Sequence, residues 1–309
     1  MAVEYVSRPQ QDQVAGARPA PTLALQEPAP RASHAHRVRR ELLRNRFALA
    51  GAVFLLLIGV AALFAPLIAS YDPTEQHLLG RLQSPSSVHW LGTDELGRDE
   101  FSRLLYGARI SLFIGFVGTA GGVILGTLLG LIAGYFGGWA DTLSMRFVDV
   151  MYAFPGILLA ILIVAVMGPG LFNLIVALTI WGTPTLSRIV RSCVLALKSQ
   201  EFVEASRAMG ASRTRIIFRH LLPNSTAPII VYATLGVAGS LLTTAGLGFL
   251  GLGVQPPTAE WGAMLSYGRG YLAEAPHLML IPGLAIFVTV MSLNLIGDAF
   301  RDALDPRIK

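Results

Sequence analysis

The sequence of 309 residues has little charge. Only 14% of its residues are Asp, Glu, Lys or Arg, whereas 53% are apolar, and the mean hydropathy is +0.57. Ordinary soluble domains carry roughly 25% charged residues. This composition excludes a soluble globular domain and indicates an integral membrane protein.

Cysteine, lysine and histidine are also scarce. Cys193 is the one cysteine, so the chain forms no internal disulfide, and we interpret this residue as structural. Lys198 and Lys309 are the two lysines, and no G-x-x-x-x-G-K-[ST] motif is present, so any ATPase must be a separate subunit. The six histidines show no metal-ligand spacing, which argues against a membrane-embedded metalloenzyme.

The formal net charge of +5 has its origin in arginine, which supplies 22 of the 24 basic residues. Six arginines lie between residues 31 and 46, and others lie in 188–219 and 301–307, beside apolar stretches. Positively charged loops stay on the cytoplasmic side of a membrane. We therefore expect both termini in the cytoplasm, a lipid bilayer as the partner of the apolar stretches, and no nucleic acid.

Six apolar stretches are long enough to cross a bilayer of about 30 Å, which predicts an all-α membrane protein with six transmembrane helices. They cover residues 47–69, 110–135, 141–167, 171–190, 224–252 and 278–296. Residues 1–36 hold five prolines and few large apolar side chains, so we expect a disordered cytoplasmic tail. The rest divides into 37–107, the first span with an exterior segment, and 108–309, the transmembrane core.

The exterior segment between the first two spans ends in four closely spaced acids. They are Asp94, Glu95, Asp99 and Glu100. Their spacing does not fit the D-x-[DN]-x-[DN]-G calcium loop, so no metal site is predicted. Apolar residues then recur at i, i+3, i+4 and i+7 over 101–108, which predicts an amphipathic helix lying at the membrane surface before the second span.

The second span carries five glycines at a spacing of four. They are Gly118, Gly122, Gly126, Gly130 and Gly134. Faces of small residues let helices approach closely in lipid, so this face is predicted to pack against another helix.

The third predicted span, residues 141–167, contains an acid, Asp149, away from its ends. Asp149 lies three residues after Arg146, near the cytoplasmic end, and Pro155 follows. This spacing favours an ion pair on one helix face over a proton relay.

A charged segment, residues 198–223, interrupts the apolar spans, and we call it the elbow. Apolar and small residues recur at helical spacing from Phe202 to Met209, and Gly210 supplies the positive φ that ends a helix. Ser212 is a suitable N-cap for a second helix that ends before Pro223. The sequence predicts a helix, a glycine turn and a helix, with small residues that permit close approach of a partner.

The elbow resembles the EAA loop of permease subunits of bacterial ABC importers. The resemblance rests on Glu204-Ala205-Ser206, on Gly210 six positions after the glutamate, and on Leu222-Pro223. Ser206 departs from the second alanine that is usual there. Three further segments resemble dipeptide and oligopeptide permeases of this type, namely 91–111 (LGTDELGRDEFSRLLYGARIS), 248–269 (GFLGLGVQPPTAEWGAMLSYGR) and 278–307.

The resemblance implies the type I ABC importer permease fold in the bacterial inner membrane. The chain would form half of a pathway for dipeptides or oligopeptides. Its partners would be a related permease, two ATPase subunits that bind ATP and Mg²⁺, and an extracytoplasmic peptide-binding protein. The chain itself would bind no cofactor and catalyse no reaction. The resemblance assigns ATPase coupling to Glu201, Glu204, Ala205, Ser206, Gly210, Arg215 and Pro223.

Alternatives stay open for the cargo and for the energy source. Related permeases carry glutathione or nickel, and a secondary transporter would work without ATP but would be expected to carry functional charges near mid-membrane. Neutral hydroxyls and amides in the later spans favour a zwitterionic cargo over a metal ion. The predicted pathway-lining residues are Thr179, Thr183, Ser240, Thr243, Thr244 and Asn294.

The topology predicts opposite labelling of two single cysteines in a Cys193→Ser background. Ser86→Cys, in the exterior segment, should react with a membrane-impermeant thiol reagent added to intact cells, whereas Ser212→Cys, in the elbow, should react only after the membrane is opened. Labelling of both from outside would contradict the topology.

Overall fold

The computed structural model describes residues 44–304, which are largely helical and include no β-strand. The helices are α1 (Arg46–Leu63), α2 (Ala65–Ile68), α3 (Glu100–Phe136), α4 (Gly138–Tyr152), α5 (Gly156–Met167), α6 (Leu171–Leu197), α7 (Glu201–Ala208), α8 (Arg213–Ile216), α9 (Leu222–Asn224), α10 (Thr226–Phe249), α11 (Trp261–Gly268) and α12 (His277–Leu304). The predicted disordered tail, residues 1–36, lies outside the described residues, as does the C-terminal segment 305–309.

Four of these helices, α1, α3, α10 and α12, are long and apolar enough to cross a membrane. The pair α4 and α5 gives a fifth span if it is counted as one. Helix α6 has 27 residues, about 40 Å at 1.5 Å per residue, but its polar side chains keep it less apolar than the other four. The all-α membrane fold is confirmed, and the sixth span stays a prediction.

The third predicted span, residues 141–167, is not a single helix. Helix α4 ends at Tyr152, α5 begins at Gly156, and the two axes differ by 88°. Pro155 lies at the break, where its ring removes one N–H donor and disfavours helical geometry in the residue before it. The predicted third span is therefore two helices that meet at Pro155.

The predicted amphipathic helix leads directly into the second span, as expected from the sequence. Residues 100–136 form one continuous helix, α3, whose N-cap Asp99 accepts hydrogen bonds of 2.8 Å from the amide and the hydroxyl of Ser102. The apolar residues of its first turns face the exterior part of the chain, where Trp261 is fully buried and donates from Nε1 to the Leu104 carbonyl at 3.0 Å. Leu104 and Ala108 pack in the same cluster as this indole, and the Phe101 ring lies 5.0 Å from the Trp90 ring, so other parts of the chain cover the amphipathic face.

The five glycines of α3 face α6 along its length, as predicted. A Cβ placed on Gly126 would lie 2.9 Å from the Thr183 carbonyl oxygen, and one on Gly130 would lie 2.7 Å from the Ser187 carbonyl oxygen. Distances under 3.0 Å are not tolerated by packed atoms, so these two helices approach at backbone distance only because the side chains are absent. We call this contact the glycine seam.

Two cations bind at the end of the glycine seam that precedes the elbow. Lys198 donates from Nζ to the Gly134 carbonyl at 2.9 Å, and Arg191 makes two hydrogen bonds of 2.6 Å to the Asp141 carboxylate of α4. Charge-assisted bonds of this bidentate form are the stronger class of hydrogen bond. Helices α3, α4 and α6 are thereby joined where the chain leaves the bundle.

Three of the four acids of the exterior segment are used in ion pairs and helix capping, whereas Glu100 is buried and its Oε1 has no hydrogen-bond partner within residues 44–304. Asp94 accepts from Arg98 at 2.6 Å and lies 3.2 Å from Arg103, and these three side chains are almost fully buried. Burial away from water raises the pKa of Glu95, which lies 3.1 Å from Arg98. Within residues 44–304 no group of three or more His, Cys, Asp or Glu is arranged for a metal ion.

The glycine seam predicts a position-dependent response to alanine on α3. Gly130→Ala should destabilise the protein by about 1–3 kcal/mol because its methyl group would force the helices apart. Gly115→Ala, on the same helix, is the matched control, since its nearest neighbour atom would lie 3.7 Å from the new Cβ. Thermal unfolding of the purified variants in detergent measures both, and equal unfolding temperatures would contradict the seam.

Candidate functional site

The elbow has the predicted helix, glycine turn and helix. Helix α7 is followed by Gly210 at φ +80°, and the Ser212 hydroxyl caps α8 by accepting from the Arg215 amide at 3.3 Å. A Cβ on Gly210 would meet no atom within 4 Å. Glycine is therefore required here for its backbone conformation and not for lack of space.

The sequence predicted that the second helix of the elbow ends before Pro223, and this prediction was wrong. The helix continues from α8 through a π-helical turn, Ile217–Leu221, into α9, where Pro223 lies in the first turn. Proline is tolerated in a first turn because that position needs no amide donor. Ser225 donates from Oγ to the Leu221 carbonyl at 2.9 Å and satisfies one acceptor of this irregular turn.

The inner face of the elbow packs onto α6. Val203, Ile216 and Leu221 are almost completely buried, in one apolar cluster with Val190 and Val194 of α6. A residue of this type contributes about 1.5–3 kcal/mol when fully buried. The elbow is therefore held on the bundle as part of its core and does not hang from it as a loose loop.

The predicted coupling residues divide between the two faces of the elbow. Ser206 is buried, donating to the Phe202 carbonyl at 2.8 Å with its hydroxyl 3.4 Å from His220. The other six are exposed on the outer face or at the turn. They are Glu201, Glu204, Ala205, Gly210, Arg215 and Pro223.

Large apolar side chains lie on the outer face beside these residues. The exposed fractions are 42% for Phe202, 81% for Met209 and 55% for Phe218. Apolar side chains grouped with charged neighbours on an exposed surface are typical of a site that binds another protein. The outer face thus has the composition of a docking surface.

The predicted pathway-lining residues differ in burial. Four are buried between helices of this chain, namely Thr183, Ser240, Thr243 and Thr244. Thr179 is half-buried on α6 and Asn294 is exposed on α12. The hydroxyls of Thr183 and Thr243 donate to carbonyls one helical turn earlier, at 2.7 and 2.9 Å. Their role as pathway lining stays a prediction.

Asp149 pairs with a different arginine from the one predicted. Its Oδ1 accepts from Arg188 of α6 at 2.7 Å, and within residues 44–304 no ion pair joins it to Arg146. The Arg188 guanidinium carbon lies 4.1 Å from the Tyr152 ring centre, and the Tyr152 hydroxyl is 2.8 Å from the Thr185 hydroxyl. We call these four side chains, Asp149, Tyr152, Thr185 and Arg188, the polar cluster.

Sequence reasoning missed the polar cluster because its partners are far apart in the chain. The i, i+3 spacing of Arg146 and Asp149 indicates only a partner on the same helix. The break after Tyr152 and the glycine seam together bring α4 beside α6, and neither Arg188 nor Thr185 is marked by a local motif.

A second missed residue is Glu260, between α10 and α11. It is 1% exposed and accepts from the Ser111 hydroxyl and from the amides of Gly262 and Ala263, each at 2.9 Å. Burial raises the pKa of this carboxyl, and its three donors oppose that shift. These bonds fix the loop between α10 and α11 to α3.

These features define a polytopic α-helical membrane protein that carries an elbow with a buried inner face and an exposed outer face of apolar and charged side chains. The comparison with known proteins agrees with this class. Residues 126–309 match the family described as binding-protein-dependent transport system inner membrane component, and residues 33–85 match the N-terminal TM domain of oligopeptide transport permease C.

Two curated relatives cover most of the chain. The dipeptide transport system permease protein DppC of Alkalihalophilus pseudofirmus is 50% identical over 270 residues, 87% of this chain and 89% of the relative. The glutathione transport system permease protein GsiD of Pectobacterium atrosepticum is 49% identical over 271 residues, 87% of this chain and 90% of the relative.

Solved structures share the fold at lower identity. A chain of the inward-facing MetNI methionine ABC transporter aligns with a TM-score of 0.53 at 24% identity, covering 66% of this chain and 96% of that one. A chain of an amino acid ABC transporter solved with histidines aligns with a TM-score of 0.51 at 15% identity, covering 65% of this chain and 94% of that one.

The chain therefore belongs to the family of binding-protein-dependent transport system inner membrane components, and it is a multi-pass protein of the inner membrane. Its fold is that of ABC importer permeases.

The hydrogen bonds of Glu260 predict a specific weakness. Glu260→Gln should lower stability by about 1–3 kcal/mol, because the amide NH₂ would face a hydroxyl or amide donor and leave it unpaired. Glu274→Gln is the control, since Glu274 is exposed. Thermal unfolding of the purified proteins distinguishes them, and an unchanged Glu260→Gln protein would refute the assignment of these three bonds.

Proposed function

We propose that the chain is the permease subunit of an ATP-driven importer of short peptides, forming half of its membrane pathway. The proposal takes the cargo class from the relatives, which are named for dipeptide and for glutathione transport. Glutathione is itself a small peptide, so both names describe a hydrogen-bonding, charged cargo. Nickel, the alternative considered from the sequence, has no support among these names.

The full transporter in this proposal contains a related permease, two ATPase subunits and an extracytoplasmic peptide-binding protein. ATP and Mg²⁺ would bind to the ATPase subunits, since the sequence has no P-loop. Both termini and the elbow would lie in the cytoplasm, where the ATPases act. A secondary transporter would leave the docking elbow without a partner.

The observation that carries the coupling role is the two-faced elbow. Its inner face is continuous with the core around α6, while its outer face presents exposed charged and apolar side chains. Movement of a docked ATPase would therefore be transmitted to α6 and, through the glycine seam, to α3. Shifting a two-state pathway from 1:99 to 99:1 needs about 5.5 kcal/mol.

The conformation of Gly210 predicts a graded loss of coupling. Asn tolerates positive φ, Ala less so and Val least, so uptake should fall in the order Gly210→Asn, Gly210→Ala, Gly210→Val. Glu204→Lys should also abolish uptake, because it adds positive charge to a face already rich in arginine. All four variants should insert normally.

Gly138→Val is the matched control for backbone strain at the cytoplasmic side. Gly138 also has positive φ, +51°, and a Cβ placed on it would meet no atom within 4 Å, but it lies outside the elbow. ATPase activity of the reconstituted transporter, stimulated by loaded binding protein, is measured beside uptake. Full uptake and stimulation in Gly210→Val would disprove the coupling role.

The cargo class is tested with a strain that lacks this subunit. Uptake of radiolabelled dipeptides, tripeptides, glutathione and nickel is compared with that of the complemented strain. We expect the uptake of at least one class of short peptide to depend on the subunit, with nickel uptake unchanged. Lost nickel uptake with unchanged uptake of every peptide would reverse the assignment.

A further inference from the structure

We propose that the polar cluster, Asp149, Tyr152, Thr185 and Arg188, is a transit site for the charged termini of a zwitterionic peptide. This rests on the proposed function and extends it, since it names the groups of this chain that the cargo would contact. Arg188 would bind the peptide carboxylate, and Asp149 would bind the peptide ammonium group.

The depth of the cluster is the first argument. Arg188 lies nine residues before the end of α6, about 14 Å along the helix, and 17 residues after its start, about 26 Å. Its turn of α6 packs against Gly126 and Gly130 of α3, well inside the second span. Gly126 and Gly130 lie nine and five residues before the predicted end of the second span at residue 135, about 8–14 Å along the helix. The ion pair therefore lies deeper than the predicted end of the fourth span at residue 190 indicated, at a level that lipid chains occupy outside the protein.

The exposure of the pair is the second argument. The side chains of Arg188 and Asp149 are each 50% exposed in this chain, although both are charged. Charged side chains at membrane depth face a bundle interior or a water-filled cavity and avoid lipid. The face that carries the polar cluster is therefore directed away from lipid, toward the interior of the assembled transporter.

The break between α4 and α5 is independent support for a polar cluster that faces the interior of the transporter. Residues 153–155 are exposed and leave regular helical geometry beside the cluster. Non-helical backbone at membrane depth is tolerated where it is buried in protein or lines a water-filled cavity. An open break next to exposed charges fits the wall of an aqueous pathway.

The hydrogen bonds of the cluster leave capacity for a ligand. Among the described residues, Arg188 makes one side-chain hydrogen bond, to Asp149 Oδ1, although a guanidinium has five N–H donors. The second Asp149 oxygen has no side-chain partner in this part of the chain. Without cargo the two charges neutralise each other, and with cargo each can exchange its partner for a peptide terminus of opposite charge.

The chemistry of the cluster also fits transient binding of a peptide that is then released. Arginine matches the planar geometry of a carboxylate. The neighbouring hydroxyls of Tyr152 and Thr185 can donate to the carbonyl or accept from the N–H of a peptide unit. Arg188 and Asp149 are paired with each other when no peptide is bound. When a peptide leaves, the two side chains can therefore form their ion pair again. The site can therefore release its ligand without leaving bare charges.

The first experiment tests whether the cluster faces water. Thr185→Cys in a Cys193→Ser background is assembled into the complete transporter in proteoliposomes and treated with a charged, membrane-impermeant thiol reagent. We expect labelling during ATP hydrolysis without peptide, and slower labelling when a dipeptide is transported at the same time. Leu56→Cys on α1 is the control and should stay unlabelled. Absence of labelling at Thr185→Cys would overturn the proposal.

The second experiment tests which terminus each charge binds. Transport of a free tripeptide and of its C-terminal amide is measured with Arg188→Gln and with Asp149→Asn, after loading of the binding protein by both peptides has been shown. Arg188→Gln should slow the free peptide about tenfold and change the amide less than about twofold. Asp149→Asn should slow both, since both keep the ammonium group.

A purely structural ion pair predicts a different pattern. Arg188→Gln would then slow both peptides equally, and the double swap Asp149→Arg with Arg188→Asp would restore both rates. Equal slowing of the free peptide and the amide, or full recovery in the double swap, would refute the transit site while the peptide uptake of the wild-type transporter still supported the proposed function. Failure of the wild-type transporter to move any peptide would instead refute the proposed function.

Discussion

The approach of α3 to α6 at backbone distance is the contact on which the other parts of the structure depend. It exists because glycine recurs every fourth residue from Gly118 to Gly134, so that α6 carbonyls and α3 backbone meet with no side chains between them. Once α6 is fixed in this way, an exposed face beside the seam carries Arg188, and the end of α6 leads into the elbow. The seam therefore positions both the charged face of the bundle and the surface that can bind a partner.

The features that were predicted correctly are those specified by neighbouring residues. The long apolar stretches gave the helices that cross the membrane, and the spacing of glycine on α3 gave the packing face. Gly210 and Ser212 gave the turn and the second helix start of the elbow, because a positive φ and an N-cap are requirements of single positions. In each case, the residues that determine the structure lie within one or two helical turns of each other in the sequence.

The features that were missed depend on residues distant in sequence. Pro155 was compatible with either a kinked or a broken helix, and only the packing of α5 against α6 decides that the chain turns by 88°. The partner of Asp149 lies 39 residues away, and the hydroxyl that bonds Glu260 lies 149 residues away. Ser206 was predicted to permit close approach of a partner, but it is buried, with its hydroxyl 3.4 Å from His220 of the π-helical turn. No local pattern records such contacts.

The use of Lys198 has a consequence for chemical modification of the protein. This amine is the one lysine among residues 44–304, and it is committed to the Gly134 carbonyl at the last glycine of the seam. Acylation of a surface lysine ordinarily removes a charge and changes little else. Here the same reaction would remove the donor that closes the end of a helix pair, so an amine-directed reagent would act on helix packing and, through α6, on the elbow that follows it.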